Sequence, residues 1–179
     1  MNNLRQISFA ISFYAQNFEG WMPRSGEAYM PLGCDSWKLQ LAPFLNVIVP
    51  PRSKLERGAF HCPSQTNASC GNSSYGDNGF YGGYGWNLDM GWRDDTPPYP
   101  SRVKISDVAN PAQVLLAGDT SDAYVNTATS HYSFYLLKNL GIQSGRHGGG
   151  GNYLWVDGHV SWHSAQEIWD NREQWFSPQ

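Results

Sequence analysis

The chain has 179 residues, which is the usual length of one domain, and its composition excludes several classes of protein. Aromatic and charged residues each make up 15% of the chain, and disordered proteins have many more charges than rings. The net charge is −3 and no run of Lys or Arg occurs, so nucleic acids and anionic membrane surfaces are not expected partners. The longest apolar stretch, residues 44–49, is too short to cross a bilayer. We therefore expect a single domain over residues 1–179.

An amphipathic helix is predicted over residues 2–19, and Gly20 ends its pattern. Phe9 and Phe13 fall on the face opposite the apolar stripe, where a helix that only lies on a core needs no apolar residues. Two interpretations remain open: the rest of the domain covers both rings, or this face contacts another subunit. The stripe consists of Leu4, Ile7, Ser8, Ile11, Tyr14, Ala15 and Phe18.

Two further elements are expected to be buried. Residues 36–45 predict a short second helix, because Trp37, Leu41 and Leu45 share one face. Residues 113–118 form a continuous apolar run of strand length, which predicts a central strand covered on both faces. Another candidate strand covers residues 131–137.

Glycines and aromatic residues alternate over residues 71–92. This pattern predicts a long loop pinned by its own rings, with a short strand over residues 84–88. Exposed rings in such a loop could instead stack on sugars, so a carbohydrate-binding surface using Trp86 and Trp92 stays open as an alternative function.

A two-residue hairpin is predicted at Asp157 and Gly158, a pair that readily adopts the positive backbone angles of such a turn. A short closing helix over residues 165–176 would complete the chain. The fold class is therefore α+β, with the N-terminal α-helix packed on an antiparallel β-sheet and long loops rich in glycine and aromatic residues. With this turn, the buried face of the hairpin would consist of Tyr153, Trp155, Val160 and Trp162.

The three cysteines contain no Cys-x-x-Cys pair, which excludes zinc-ribbon and thioredoxin-type sites. Cys62 and Cys70 flank a short loop and could form a disulfide in an oxidising compartment. Pairing of Cys34 with Cys62 is the alternative, and three thiols in a reduced protein is a third possibility.

Three histidines, His147, His159 and His163, lie close in sequence to Asp157. His159 and His163 share a strand face but stand about 13 Å apart, too far for one tetrahedral zinc ion. A zinc site would require His147 or Asp119 to fold back, so we expect ordinary hydrogen bonds at these histidines. A metal-dependent hydrolase that uses His147, Asp157 and His159 stays open as an alternative.

An oxygen-rich turn follows the predicted central strand at Asp119, Ser121 and Asp122. Such hard oxygen ligands suit calcium, although the spacing is not that of an EF-hand, and calcium is the one cofactor we consider. The chain contains no Gly-x-Ser-x-Gly elbow and no phosphate-binding loop. We therefore predict no catalytic residue and no enzymatic activity.

Five short motifs follow one another through nearly the whole chain. Together they resemble type II secretion pseudopilin-like and type IV pilin-like proteins of the planctomycete and verrucomicrobial type, which carry a C-terminal His-X9-Asp-Gly motif. In this chain the motifs are Asn2-Asn3-Leu4-Arg5-Gln6-Ile7 with Gly20-Trp21-Met22-Pro23, Phe60-His61-Cys62-Pro63-Ser64, Tyr84-Gly85-Trp86-Asn87, Leu115-Leu116-Ala117-Gly118-Asp119, and Arg146-His147 followed after nine residues by Asp157-Gly158-His159-Val160.

The resemblance implies a type IV pilin-like fold and a structural function. In such proteins a long N-terminal helix has an apolar first half in the inner membrane and a second half packed on the sheet. It also implies prepilin peptidase cleavage and N-terminal methylation, and we expect that site and the membrane half to precede Met1. The implied protein is an exported subunit on the periplasmic or cell-surface side. Its partners would be other pilin-like subunits and components of the secretion machine.

The motif residues are expected to have structural roles. Asp157 and Gly158 form the turn, and Arg146 or His147 is expected to reach Asp119 or to cap the neighbouring strand. The resemblance makes none of them catalytic, nor Cys62 and Pro63. The related major pseudopilin binds calcium in a C-terminal loop, which is not matched to particular residues of this chain.

Overall fold

The computed structural model describes residues 1–24, 36–47, 58–64, 84–91, 102–119, 124–125 and 147–178, which form an α+β fold as predicted. Among these residues, no helix has both the length and the apolar sequence that a membrane span requires. The helices and strands are α1 (Asn2–Asn17), α2 (Ser36–Leu45), β1 (Tyr84–Asn87), β2 (Leu115–Asp119), β3 (Tyr124–Val125), β4 (Gly150–Trp155), β5 (Val160–Ser164), α3 (Ala165–Asp170) and α4 (Arg172–Trp175).

The described strands form one sheet in the order β3-β1-β2-β4-β5. The pairs β1–β2, β2–β4 and β4–β5 are antiparallel, as predicted. The two-residue edge strand β3 departs from that prediction, because it pairs with β1 in parallel. β2 lies in the middle and all five of its residues are buried, which confirms the central strand expected from its apolar sequence.

Helix α1 covers one face of this sheet and confirms the predicted helix. Leu4, Ile7 and Ile11 are fully buried or nearly so, in one core with Leu116 of β2 and Leu154 of β4. The helix ends at Asn17. Three residues later Gly20 takes a φ of +84°, which glycine adopts without steric cost, and its N–H donates to the Ala15 carbonyl. Burial of this stripe holds α1 on the sheet.

The outer face of α1 is exposed to solvent. The side chains of Phe9 and Phe13 are 67% and 54% exposed. Phe18, which belongs to the buried stripe, is 45% exposed, but its ring stacks on Tyr14 with the ring centres 4.3 Å apart. Within the described ranges of the chain, Phe9 and Phe13 are therefore left largely uncovered.

The C-terminal helices cover the second face of the sheet. Ile168 and Phe176 are fully buried in a second core. The predicted closing helix is divided at Asn171 into α3 and α4. Ser164 begins α3 with a capping box, since its hydroxyl accepts from the Glu167 backbone N–H while the Glu167 carboxylate accepts from the Ser164 N–H. This second core is completed by Leu115, Tyr153 and Trp155, with Ala165, Trp169 and Trp175 packed against it.

The hairpin between β4 and β5 is confirmed, but its predicted register is wrong by one residue. Leu154 pairs with Val160, where the two-residue turn would place Ser161. The Trp155 N–H donates to the His159 carbonyl over 3.0 Å, and the Gly158 N–H donates to the Trp155 carbonyl over 2.9 Å. Gly158 has a φ of +92°. This is the three-residue loop with a bulge at the glycine, which Asp-Gly sequences also favour.

The one-residue shift changes the composition of both faces of the hairpin. Tyr153 and Trp155 share a face with Ser161 and His163, because these residues pair across the strands or stack on one another. Val160 instead joins the core beneath α1. Trp162, predicted to be buried, is 41% exposed.

Gly158→Ala is expected to destabilise the domain more than Gly148→Ala. Both glycines have positive φ, so each substitution introduces backbone strain of about 1–2 kcal/mol. A Cβ at Gly158 would also lie 2.8 Å from the Ser8 hydroxyl, whereas a Cβ at Gly148 meets nothing within 4 Å. Because Ser8 donates to the Gly158 carbonyl, its displacement adds about 1 kcal/mol. Urea unfolding of both variants measures the difference, and equal losses would contradict the Ser8 contact.

Candidate functional site

Three residues far apart in sequence, Cys62, Asp119 and His147, meet at one end of the sheet. His147 Nε2 lies 3.3 Å from Cys62 Sγ and 3.2 Å from Asp119 Oδ2. The three potential ligand atoms all lie within 4.8 Å of one another. Cys62 and Asp119 are buried, and the partly exposed His147 connects the group to the surface. Of the alternatives left open by the sequence, the one in which His147 reaches Asp119 is observed.

Asp119 is the last residue of β2, and the neighbouring strand holds its carboxylate in place. Its Oδ2 accepts hydrogen bonds from the Asn152 backbone N–H at 2.8 Å and from the Asn152 side-chain amide at 2.9 Å. Oδ1 is buried and accepts no hydrogen bond within the described part of the chain. The side chain is 1% exposed, so a negative charge here requires strong partners.

His147 occupies a tight turn immediately before β4. Its φ is +52°, a left-handed conformation that is uncommon for residues other than glycine, and its carbonyl accepts a hydrogen bond from the Trp162 indole over 2.8 Å. Close packing follows at two glycines. A Cβ at Gly150 would lie 2.2 Å from the His163 carbonyl oxygen, and one at Gly151 would lie 3.1 Å from the Asp119 Cβ. The glycines thus let β4 approach β5 and the Asp119 side chain.

Cys62 is supplied by a short segment that packs against α1. A 3-10 turn at Gly58–Phe60 precedes it and buries Phe60. The Asn3 side-chain amide donates to the His61 carbonyl over 2.6 Å, which ties this segment to the first turn of α1. The sequence places Cys62 in a motif and leaves its pairing with Cys70, its pairing with Cys34 or a free thiol open, but it does not predict a position beside His147. The order of the motifs was the only available signal.

The geometry at His147 is unlike that of a nucleophilic relay. In such a relay the two ring nitrogens have different partners, one facing the nucleophile and the other facing the carboxylate. Here the same nitrogen, Nε2, faces both Cys62 and Asp119. Thiol, imidazole and carboxylate are instead the ligand types that bind transition metals.

The histidine set considered for a hydrolase is not brought together. Asp157 and His159 lie at the hairpin tip, where Asp157 Oδ1 is 2.6 Å from His159 Nδ1. His147 precedes the opposite end of β4, a strand about 17 Å long. His159 and His163 do share a face, and both rings pack on Trp155. The proposed set of His147, Asp157 and His159 is therefore divided between two ends of the sheet.

Two further predicted site residues, Pro63 and Trp86, lie within the described ranges, and the others lie outside them. Pro63 lies beside Cys62 at the surface. Trp86 was a candidate for stacking on sugars, but it is fully buried and its ring stacks on Trp37 at 5.3 Å. The residues outside the described ranges are Cys34, Cys70, Trp92, Ser121, Asp122 and Arg146, together with the candidate strand at residues 131–137.

Comparisons with known protein families, with curated proteins and with solved structures gave no match.

His163 is expected to make stability depend on pH. Burial against Trp155 and Trp175 lowers the pKa of His163, and the nearby His159 lowers it further, whereas Glu167 acts in the opposite direction. The unfolded chain then takes up a proton more readily than the folded chain. Stability from the neutral ring is complete above the ordinary pKa of about 6.5 and is lost as the pH falls below it.

The test is urea unfolding of the wild type and His163→Gln at pH values of about 7.5 and 5, on either side of the ordinary histidine pKa. The wild type should lose more stability than the variant between these values. An identical loss in both proteins would show that His163 does not contribute.

Proposed function

We propose that this chain is the head region of a structural pilin- or pseudopilin-like subunit, part of a type II secretion or type IV pilus-type assembly. The observation that carries the proposal is the two-sided character of α1. One side is buried against the domain, and the other presents Phe9 and Phe13 to solvent. In this proposal the exposed side contacts the helix of a neighbouring subunit.

The composition of α1 supports burial of its outer face in an assembly. Single exposed apolar residues are common on protein surfaces, but Phe9 and Phe13 are one helical turn apart and form a continuous patch. Arg5 is the only charged residue in the sixteen residues of α1. A helix face that stays in water usually carries more charge than this.

The surface beside Phe9 has space for side chains of a neighbour. A groove of about 470 Å³ lies between α1 and the tip of the β4–β5 hairpin. On the helix side it is lined by Arg5, Ser8 and Ser12, and on the hairpin side by residues 155–160. Packing of apolar side chains into such grooves is how helices associate with neighbouring surfaces.

The coarse architecture is compatible with the proposal, since a pilin head also has an N-terminal helix on an antiparallel sheet. The alternatives have less support. Trp86, which the carbohydrate-binding surface requires at the surface, is buried in the core. The ligands that the hydrolase requires in one place lie at opposite ends of β4. The proposal also explains why the Asp157-Gly158 motif forms a turn that contacts α1 through Ser8.

Phe9→Ala combined with Phe13→Ala should weaken subunit contacts without unfolding the domain. Burying one phenylalanine contributes about 1.5–3 kcal/mol, so each substitution should weaken the contact roughly 10-fold to 100-fold. The measurement is incorporation of the full-length protein into its assembly in the source cells. A photoreactive amino acid at position 9 should also cross-link to copies of the chain or to other pilin-like subunits.

Phe18→Ala is the control, because it removes the same kind of side chain at the residue directly after α1, where the ring stacks on Tyr14 of the buried stripe. It loses the stacking on Tyr14 and should lower the free energy of unfolding by about 1 kcal/mol without affecting assembly. Normal incorporation of the Phe9/Phe13 variant, or an equal defect in Phe18→Ala, would refute the proposed contact face.

A further inference from the structure

We propose that Cys62, Asp119 and His147 bind one divalent transition-metal ion, with zinc as the preferred ion. This site is separate from the exposed face of α1. It shares Asp119 with the calcium turn and His147 with the histidine set considered from the sequence, but it joins them to each other and to Cys62. It combines a sulfur, a nitrogen and an oxygen ligand from three segments that are distant in the chain.

The distances fit a zinc coordination sphere. Zinc binds thiolate sulfur at about 2.3 Å and imidazole nitrogen or carboxylate oxygen at about 2.1 Å, so ligand atoms around a tetrahedral zinc stand about 3.4–3.6 Å apart. The observed separations from His147 Nε2 are 3.3 Å to sulfur and 3.2 Å to oxygen. The third separation, from sulfur to oxygen, is no more than 4.8 Å.

One ring nitrogen faces both the sulfur and the carboxylate oxygen. A neutral imidazole nitrogen either carries a proton or offers one lone pair. A proton on Nε2 would have to be shared between the Asp119 oxygen and the Cys62 sulfur, whereas a cation between the three atoms would contact each of them directly.

Charge and burial favour the same conclusion. Zinc displaces the thiol proton to solvent and forms a zinc–sulfur bond, after which the thiolate and the carboxylate together balance the two positive charges of the ion. Asp119 is already oriented by two hydrogen bonds from Asn152, the type of support that metal-ligating carboxylates receive. Its buried Oδ1, which accepts no hydrogen bond from any residue in the described ranges, is also available to a cation.

The ligand types select the class of ion. Calcium and magnesium are bound by oxygen atoms, whereas thiolate and imidazole suit zinc and neighbouring transition metals. The ion would join the Cys62 segment, the end of β2 and the turn before β4. Three segments would thereby be joined at one point, and with three protein ligands the fourth position of a tetrahedral zinc would be open to water.

The test is metal analysis of the chain purified under reducing conditions without an affinity tag and then equilibrated with zinc. We expect one zinc per chain in the wild type, and loss of that zinc in His147→Asn and Cys62→Ser. Asparagine tolerates the positive φ of residue 147, so His147→Asn should keep the fold even if Cys62→Ser does not. His159→Asn is the control, because this exposed histidine lies at the other end of the sheet and should retain full zinc content.

Replacement of zinc by cobalt provides a second readout. Cobalt in the wild type should give the near-ultraviolet charge-transfer absorption of a cobalt–thiolate bond, and His147→Asn should lose it while its circular dichroism stays native. Asn152→Ala should keep the ligands but weaken binding about 10-fold to 100-fold. Failure of the folded wild type to take up zinc, or retention of zinc by folded His147→Asn, would overturn the proposal.

Discussion

The burial of β2 on both faces is the constraint from which the rest of the structure follows. Five consecutive buried residues require a layer on each side of the strand, and α1 and the C-terminal helices provide these layers. Leu115 lies in the second core and Leu116 in the first, as the alternation of side chains along a strand requires. The register shift between Leu115 and Ala117 accompanies a break in this alternation, because Ala117 also lies in the first core. The same strand ends in Asp119, whose carboxylate is itself buried. That carboxylate therefore needs partners, and Asn152 and His147 are positioned by the adjacent strand to supply contacts.

Much of this arrangement could be predicted from local sequence. Helical spacing identified α1, and a continuous apolar run identified β2, because each pattern reports the burial of its own segment. The hairpin register could not be obtained in this way. Asp157-Gly158 is compatible with a two-residue and a three-residue loop, so the turn sequence does not distinguish them. Tertiary packing favours the observed register, in which Trp155 stacks on His159 and contacts Trp175 edge to face.

Part of the candidate site could be predicted from local sequence and part could not. The approach of His147 to Asp119 was predictable, because both residues end or precede strands of one small sheet. The position of Cys62 was not, since 85 residues separate it from His147 and no local pattern links the two segments. The parallel pairing of β3 could not be predicted from the sequence either, because a strand of two residues is too short to show a periodic pattern. The sequence therefore indicated the contact between the ends of two strands, His147 with Asp119. It did not indicate the contacts that depend on how distant segments of the chain are arranged, namely the position of Cys62 and the pairing of β3.

The two ends of the His147–Asp157 segment both connect to α1, and this links the proposed metal site to the proposed subunit contact. At one end, His147 contacts Cys62, and the adjacent His61 carbonyl accepts a hydrogen bond from Asn3. At the other end, the Gly158 carbonyl accepts from Ser8. Strand β4 spans the distance between these two contacts, so the nine residues between His147 and Asp157 set how far apart the contacts lie. A metal ion at Cys62, Asp119 and His147 would stiffen the first anchor and so hold the helix that presents Phe9 and Phe13 in a fixed orientation on the domain.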